Sequence, residues 1–346
     1  MKNGKMGLAI VGLGMVARTH VNALRDLSDK IEIIGVYARD PAKRQAFAEA
    51  HDLPVATSVD DLARNDEVDA ALVLTPPNAR MEITEAFAGA GKHILMEKPV
   101  ERTTAAATAL VEMCENAGVV LGIVLQHRFR DGACKLREMM AAGDLGKLVI
   151  AQVAIPWWRP QAYYDEPGRG TLARDGGGVL ISQAIHTLDL MLSITGVARE
   201  VQGVAGTTRL HRMETEDFAA AGIRFANGAI GSFSATTALF PGETETLRFG
   251  FEKASVRLEG NLLFVDWYDG RSESFGEETG TGGGADPMAF PHDWHREVIA
   301  DFHRCATEGG TPAISGREAL NVHRLIEAVL ASSAEGRAVT IGGNDS

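Results

Sequence analysis

The chain has 346 residues, 45% of them hydrophobic and 23% charged, and a formal net charge of −12. That length suits two domains, and the composition suits soluble globular ones. The acidic balance gives no electrostatic footprint for nucleic acid or an anionic membrane, and no apolar run reaches the ~18 residues of a spanning helix.

Three cysteines, Cys114, Cys134 and Cys305, lack metal or redox spacing and read as reduced thiols of a cytoplasmic protein. The apolar stretch from Leu8 to Ala17 is broken by Gly12 and Gly14 and is not expected to be a signal-peptide core.

Leu8-Ala9-Ile10-Val11 predicts a buried strand, Gly12-Leu13-Gly14-Met15-Val16-Ala17 a tight turn, and the residues to about Leu27 a helix. In that context G-x-G-x-x-A is a dinucleotide turn, with the pyrophosphate received by free N–H groups at the helix N-terminus. Gly12 makes the turn, Gly14 lets the backbone approach the phosphates, and Ala17 keeps the helix close to the sheet. Ile31 to Ala38 predicts the second strand. An NAD site usually carries an acid at its end; this chain has Ala38 and then Arg39, whose planar fork suits a 2′-phosphate. Asp40 opposes that reading, since it could pair with Arg39 or reach the ribose. The expected cofactor is NADP or NAD, leaning to NADP.

Asp69 to Leu74 predicts a third strand, broken by Thr75-Pro76-Pro77-Asn78 beside the presumed cofactor. A helix from about Met81 to Ala90 leads into Ile94-Leu95-Met96-Glu97-Lys98-Pro99, a short apolar strand that stops on an acid, a base and a proline. Ligands of open α/β sheets collect beyond the carboxyl ends of the strands, so Lys98 is placed to meet one; a solvated strand-end lysine is the plain alternative. Val119 to Leu125 closes a domain of alternating strands and helices, hence a doubly wound parallel sheet.

With the dinucleotide turn and Glu97-Lys98-Pro99 in place, the chain resembles the Gfo/Idh/MocA oxidoreductase family over nearly its whole length. Further matching stretches are Gln126-His127-Arg128-Phe129, Gly143-Asp144-Leu145-Gly146-Lys147, Gly176-Gly177-Gly178-Val179-Leu180, His186 with Asp189, Ser315-Gly316-Arg317-Glu318-Ala319-Leu320 and Ser332-Ser333. The resemblance implies an α/β protein. A Rossmann domain over residues 1–126 precedes an α+β domain over 127–346, which carries a large, mostly antiparallel open sheet, and the C-terminal helices can pack back on the first domain. It also implies NAD(P)-dependent oxidation or reduction of one secondary carbinol of a sugar, polyol or nucleotide sugar. The implied cofactor contacts are Gly12, Gly14, Met15, Val16, Ala38, Arg39, Thr75, Pro76, Asn78, Glu97, Lys98 and Gln126.

In the second part, Leu148 to Ile155 predicts a strand and Leu180 to Thr195 a helix ended by Gly196. Phe218 to Phe225 and Ala229 to Thr237 flank the hairpin signal Asn227-Gly228, and Glu245–Phe251, Ala254–Leu258 and Leu262–Trp267 add strands. A surface loop is expected at Gly280–Gly284. A sheet with helices on one face leaves the other free for a second copy, so a homo-oligomer is expected, mainly on the resemblance. Ser182, His186 and Asp189 fall on one helix face at i, i+4 and i+7. The family's proton-transfer histidine corresponds to His186. Ser182 stands where many relatives carry Asp, which leaves His186 and Lys98 both as candidates for the base. Trp157, Trp158, Arg159, Tyr163 and Arg169 supply aromatic faces and planar donors suited to a sugar ring, or equally to a subunit interface. With Lys98, Arg128, Ser182 and His186 they complete the expected substrate contacts.

His292, Asp293, Trp294 and His295 form a second polar-aromatic cluster, and no histidine spacing suggests a metal site. The competing readings are a dehydrogenase of a non-carbohydrate, dihydrodiol-like ring and a non-catalytic dinucleotide or sugar sensor on the same fold.

Overall fold

The computed structural model describes residues 4–280 and 290–342. The first elements are β1 (Met6–Val11), α1 (Ala17–Asp26), β2 (Ile31–Tyr37), α2 (Pro41–His51), α3 (Val59–Arg64), β3 (Ala70–Val73), α4 (Arg80–Gly89), β4 (His93–Glu97), α5 (Thr104–Asn116) and β5 (Leu121–Val124). Then come α6 (Asp131–Ala141), β6 (Leu148–Pro156), α7 (Gln161–Tyr164), α8 (Ile185–Thr195), β7 (Ala198–Gly206), β8 (Phe218–Phe225), β9 (Ile230–Thr236), β10 (Thr246–Phe251), β11 (Ala254–Glu259), β12 (Leu262–Trp267) and β13 (Ser272–Phe275). The chain ends with α9 (Asp293–Glu308), α10 (Gly316–Glu335) and β14 (Val339–Thr340). Apart from Gly280, the loop expected at Gly280–Gly284 lies outside the described residues.

Two compact units result. One holds the chain up to Gln126 together with His292–Leu320; the other holds His127–Pro291 and the chain from Asn321 onward. Among the described residues no helix is long and apolar enough to cross a membrane.

In the first unit the strands pair in parallel in the order β2-β1-β3-β4-β5. Every residue of β1 and β3 is buried, as expected of strands covered on both faces. Strand order reverses between β1 and β3, which opens a crevice at their carboxyl ends. Helix α1 lays Ala17, His20, Val21 and Leu24 inward, one stripe at helical spacing. Helix α9 covers α1, β4 and β5 with Trp294, His295, Val298, Ile299, Phe302 and Cys305. The open side of β5 is closed by a bridge between Gly122 and Ser315, so that edge is not left bare.

The second unit is built on the sheet β13-β12-β11-β10-β6-β9-β8-β7-β14, antiparallel except where β6 runs beside β9. Burial alternates along β8, β9, β10 and β11, so one face packs and the other is open. At the Asn227-Gly228 turn Phe225 and Ala229 close the hairpin, with Gly228 at a φ of 91°. The helix expected from Leu180 to Thr195 is in two parts, a π-helical turn over Leu180–Ala184 and then α8. Single π turns inside helices often mark functional positions.

Candidate functional site

The crevice of the first unit begins at Gly12. Its φ is 103°, and a Cβ there would sit 2.7 Å from the Leu74 carbonyl carbon and the Thr75 nitrogen. Only glycine lets the turn after β1 pass so close to the end of β3. At Gly14 nothing stands within 4 Å of where a Cβ would be, which leaves the backbone approachable. The N-terminus of α1 has no side-chain cap and no acid in its first turn, so its N–H groups are available to an anion. Met15 is exposed and Val16 half-buried.

Thr75, Lys98 and Gln126 follow the carboxyl ends of the neighbouring strands β3, β4 and β5. Thr75 Oγ1 and Gln126 Oε1 are buried and make no hydrogen bond to the described residues, as suits groups that meet a polar cofactor. Pro76 is half-buried, and Asn78 is exposed on the short 3₁₀ turn Pro77–Ala79.

At the end of β2, Asp40 is the N-cap of α2, its Oδ1 accepting from the N–H groups of Ala42 and Lys43 at 2.9 and 3.1 Å. Arg39 is exposed and makes no ion pair with the described residues. Arg44, not singled out from sequence, lies over the Tyr37 ring at 5.2 Å and donates to the Ala38 carbonyl at 3.3 Å. Arg39 and Arg44 thus bracket Ala38 with positive charge. These features fit a dinucleotide.

Lys98 is supported from beneath. Arg80, 2% exposed, donates to the carbonyls of Thr75, Glu97, Lys98 and Pro99. Burial lowers its guanidinium to about 10 against the pull of Glu97 and Glu101, so it stays charged at neutral pH. The Glu97 side chain is buried: Oε1 lies 2.8 Å from His20 Nε2, and Oε2 accepts the Lys98 N–H at 3.2 Å. Burial pushes the Glu97 carboxyl up, but His20, His295 and Lys98 together hold it below its ordinary value. His295 of α9 meets the His20 ring edge-on at 4.9 Å, and burial drives its imidazole down to about 3.

Sequence reasoning missed the His20–Glu97–His295 cluster, because its members come from α1, β4 and α9. Their ligand-type atoms lie within 4.8 Å of one another. The edges of a tetrahedral zinc site with ~2.0–2.1 Å bonds are roughly 3.3 Å long. A 2.8 Å contact within a 4.8 Å spread describes hydrogen bonding better than coordination.

In the second unit the glycine triplet is clamped by Glu216. Its carboxylate accepts from Gly178 and Leu180 N–H at 3.0 and 3.1 Å, and its carbonyl accepts from Val179 at 2.8 Å. A Cβ at Gly178 would come 1.8 Å from that carbonyl oxygen, so the position requires glycine. The clamp starts the π turn. In the stretch from Val179 to Thr195 it leaves Ser182 and His186 half-exposed among mostly buried neighbours. The Ser182 hydroxyl donates back to the Gly178 carbonyl at 2.5 Å. Asp189, expected on the same face, is instead buried and holds Arg128 through two bonds of 2.7 and 2.6 Å. Arg128 therefore already has a bidentate partner within the protein.

The His186 ring stacks on His127 at 5.0 Å. His127 is in turn fixed by Arg130 at 2.8 Å, and Arg130 pairs with buried Glu245.

Trp157 is buried, with its indole N–H on Glu245 at 3.1 Å, so it belongs to the core of this unit. Arg159 is buried over the rings of Trp157 and Tyr163. Trp158, Tyr163 and Arg169 are half-exposed; Arg169 lies over Tyr163 at 4.2 Å and donates to its hydroxyl at 2.8 Å. Trp158 meets Phe240 edge-on at 5.5 Å. Of the expected aromatic-guanidinium surface, Trp158, Tyr163 and Arg169 are the members open to a ligand.

Residues 6–124 match the Gfo/Idh/MocA model described as an oxidoreductase family with an NAD-binding Rossmann fold, and residues 133–257 match the Gfo/Idh/MocA C-terminal domain. The chain is 27% identical over 344 residues to 1,5-anhydro-D-fructose reductase of Ensifer adhaerens, covering 96% of this chain and 97% of that one. It is 26% identical over 229 residues to trans-1,2-dihydrobenzene-1,2-diol dehydrogenase of Mus musculus, covering 65% and 66%. Among solved structures it is similar to the WlbA dehydrogenase of Chromobacterium violaceum in complex with NADH and UDP-GlcNAcA. The TM-score is 0.84 at 27% identity, covering 99% of this chain and 97% of that one.

The state of His295 has a measurable consequence. Its folded value of about 3 lies below the model value of 6.5, so between these the unfolded chain binds a proton that the folded chain does not. Its contribution is complete above pH 6.5 and is lost as pH falls toward 3, with a slope of up to ~1.4 kcal/mol per pH unit. In urea unfolding at pH 6.5 and 5, His295→Phe should lose less stability than the parent. Equal losses would show that another group titrates.

Proposed function

Because the chain belongs to the Gfo/Idh/MocA oxidoreductase family, we propose that it oxidises or reduces one secondary carbinol of a sugar, polyol or nucleotide sugar. The first unit holds the dinucleotide and the second supplies the substrate contacts. The observation that carries this reading is the crevice after β1 and β3. A glycine turn, an uncapped helix N-terminus and the buried, unmatched Thr75 and Gln126 oxygens share one sheet edge with Lys98. The bound nicotinamide supplies the hydride chemistry; the protein supplies position and field.

Lys98 donates to the reacting oxygen and stabilises the charge that develops on it. His186 accepts the hydroxyl proton in oxidation and returns it in reduction. Ser182 puts no carboxylate four residues before His186, so little rescue is expected from that position. Trp158, Tyr163 and Arg169 contact the ring of the substrate. A second reading, a dihydrodiol-like ring as substrate, is favoured by the mouse relative alone. The cofactor is NADP rather than NAD, on the strength of Arg39 and Arg44 beside Ala38 and of Asp40 acting as a cap.

Three measurements test this. Turnover of a panel of sugars, polyols and nucleotide sugars is followed by reduced-nicotinamide absorbance. In this assay Lys98→Met should keep cofactor binding and lower kcat by about 10²-fold or more, the size of losing one oxyanion donor. His186→Asn should cost about 10²- to 10⁴-fold and flatten the pH profile. A near-normal His186→Asn enzyme would move the base elsewhere, Lys98 first.

For the cofactor, Arg39→Ala should weaken NADP roughly 10- to 100-fold and leave NAD nearly unchanged, as expected for one charge-assisted bond. A parent enzyme that prefers NAD would refute this reading.

The third concerns association. On the open face of the second sheet, Ile150 and Ile230 are register partners, 46% and 55% exposed, and Val204 is 58% exposed. We expect copies to meet on this face, so light scattering at micromolar concentration should give at least a dimer. A monomer at every salt concentration would defeat that expectation.

A further inference from the structure

The Glu97 carboxylate does not face the crevice. It is buried between α1 and α9, touches His20 at 2.8 Å, and holds the Lys98 N–H at 3.2 Å. We infer that Glu97 is a positioning residue. Its buried carboxylate fixes the backbone of Lys98 and provides the counter-charge that keeps the Lys98 ammonium protonated during turnover. This inference rests on the proposed role of Lys98.

The charges around the carboxylate favour this assignment. From α1 comes His20; from α9 comes His295, with His292 behind it; from α4 comes Arg80; and the chain beyond β4 brings Lys98 and Glu101. His295, with its value near 3, carries no charge at neutral pH. Arg80 is drawn by Glu97 and Glu101 alike, so two carboxylates face the two cations Arg80 and Lys98. The attraction of Lys98 is among the causes that hold Glu97 low. Coulomb attraction is mutual, so whatever favours the carboxylate through Lys98 favours the ammonium equally.

A lysine that loses water to a bound ring and substrate tends to release its proton, and a fixed opposite charge resists that. The carboxylate also cannot drift toward solvent, because His20 is 0% exposed and grips it from the inside.

The test is the alkaline limb of the pH profile of kcat in the full-length enzyme, with a panel substrate that the parent turns over. Glu97→Gln keeps the shape and an oxygen able to accept the Lys98 N–H, and removes only the charge. Its alkaline limb should move down by about one pH unit or more, the size expected for one lost counter-charge. The dissociation constant for cofactor should change by less than about threefold, well under the loss of a direct charged contact.

His20→Gln keeps the carboxylate charged; it should lower the melting temperature while leaving the limb in place. If Glu97→Gln yields no folded protein by circular dichroism, Glu97→Asp serves instead: charge retained, kcat reduced, limb unmoved.

An unmoved limb in folded Glu97→Gln, or a displaced one in Glu97→Asp, overturns the inference and leaves the oxidoreductase reading intact. So does one equivalent of a divalent metal in the purified protein that disappears in His295→Phe, since the cluster would then be a metal centre. A parent that turns over none of the panel with either cofactor defeats the functional reading, and this inference with it.

Discussion

A guanidinium sealed from water sets the shape of the first unit's carboxyl edge. Burying Arg80 costs several kcal/mol unless its donors are matched, and the matching groups are carbonyls at the ends of β3 and β4. Those carbonyls belong to Thr75, Glu97, Lys98 and Pro99, residues on which the proposed chemistry depends. The cation in turn attracts Glu97 and Glu101. Two neighbouring strand ends are thus bound into one piece by a group that could not leave without stranding four acceptors and two acids.

The second unit repeats the device with other residues. Arg130, fully buried, pairs with Glu245, and the same carboxylate takes the Trp157 indole while the same guanidinium holds His127. His127 then meets the face of His186. A buried ion pair is weak evidence for added stability, but removing one member would leave the other uncompensated. The orientation of the half-exposed histidine is therefore inherited from a network that has no access to solvent.

How far this was legible in the sequence follows from the same physics. The strands of the first sheet announce themselves because burial on both faces demands unbroken apolar runs, as at Leu8–Val11 and Ile94–Met96. Strand β7 went unread, since Ala-Arg-Glu-Val-Gln-Gly-Val-Ala-Gly mixes glycine and charge and has only a loose alternation. The residue types of the site were legible; their directions were not. Trp157 and Arg128 were read as substrate contacts by type, yet their partners Glu245 and Asp189 lie 88 and 61 residues away and turn them inward. Pairings at such separations leave no spacing in the chain. The same holds for His20 with Glu97, and for Glu216 under the glycine triplet, whose signal was only the demand of Gly178 for a residue without a Cβ.

The long sheet of the second unit ends, on either side, in very little. Its marginal strands are β13, with four residues, and β14, with two. An unpaired strand flank is a template on which a foreign chain can add itself, and shortness is one of the ways proteins deny it. Here nine strands of backbone ladder terminate in stubs, the second of them delivered only by the chain's last ordered turn of direction after α10. Growth of the sheet sideways into a fibre-like stack is thereby starved of hydrogen-bonding length. Contact through side chains on the flat of the sheet, which stops after one partner, remains the route left open.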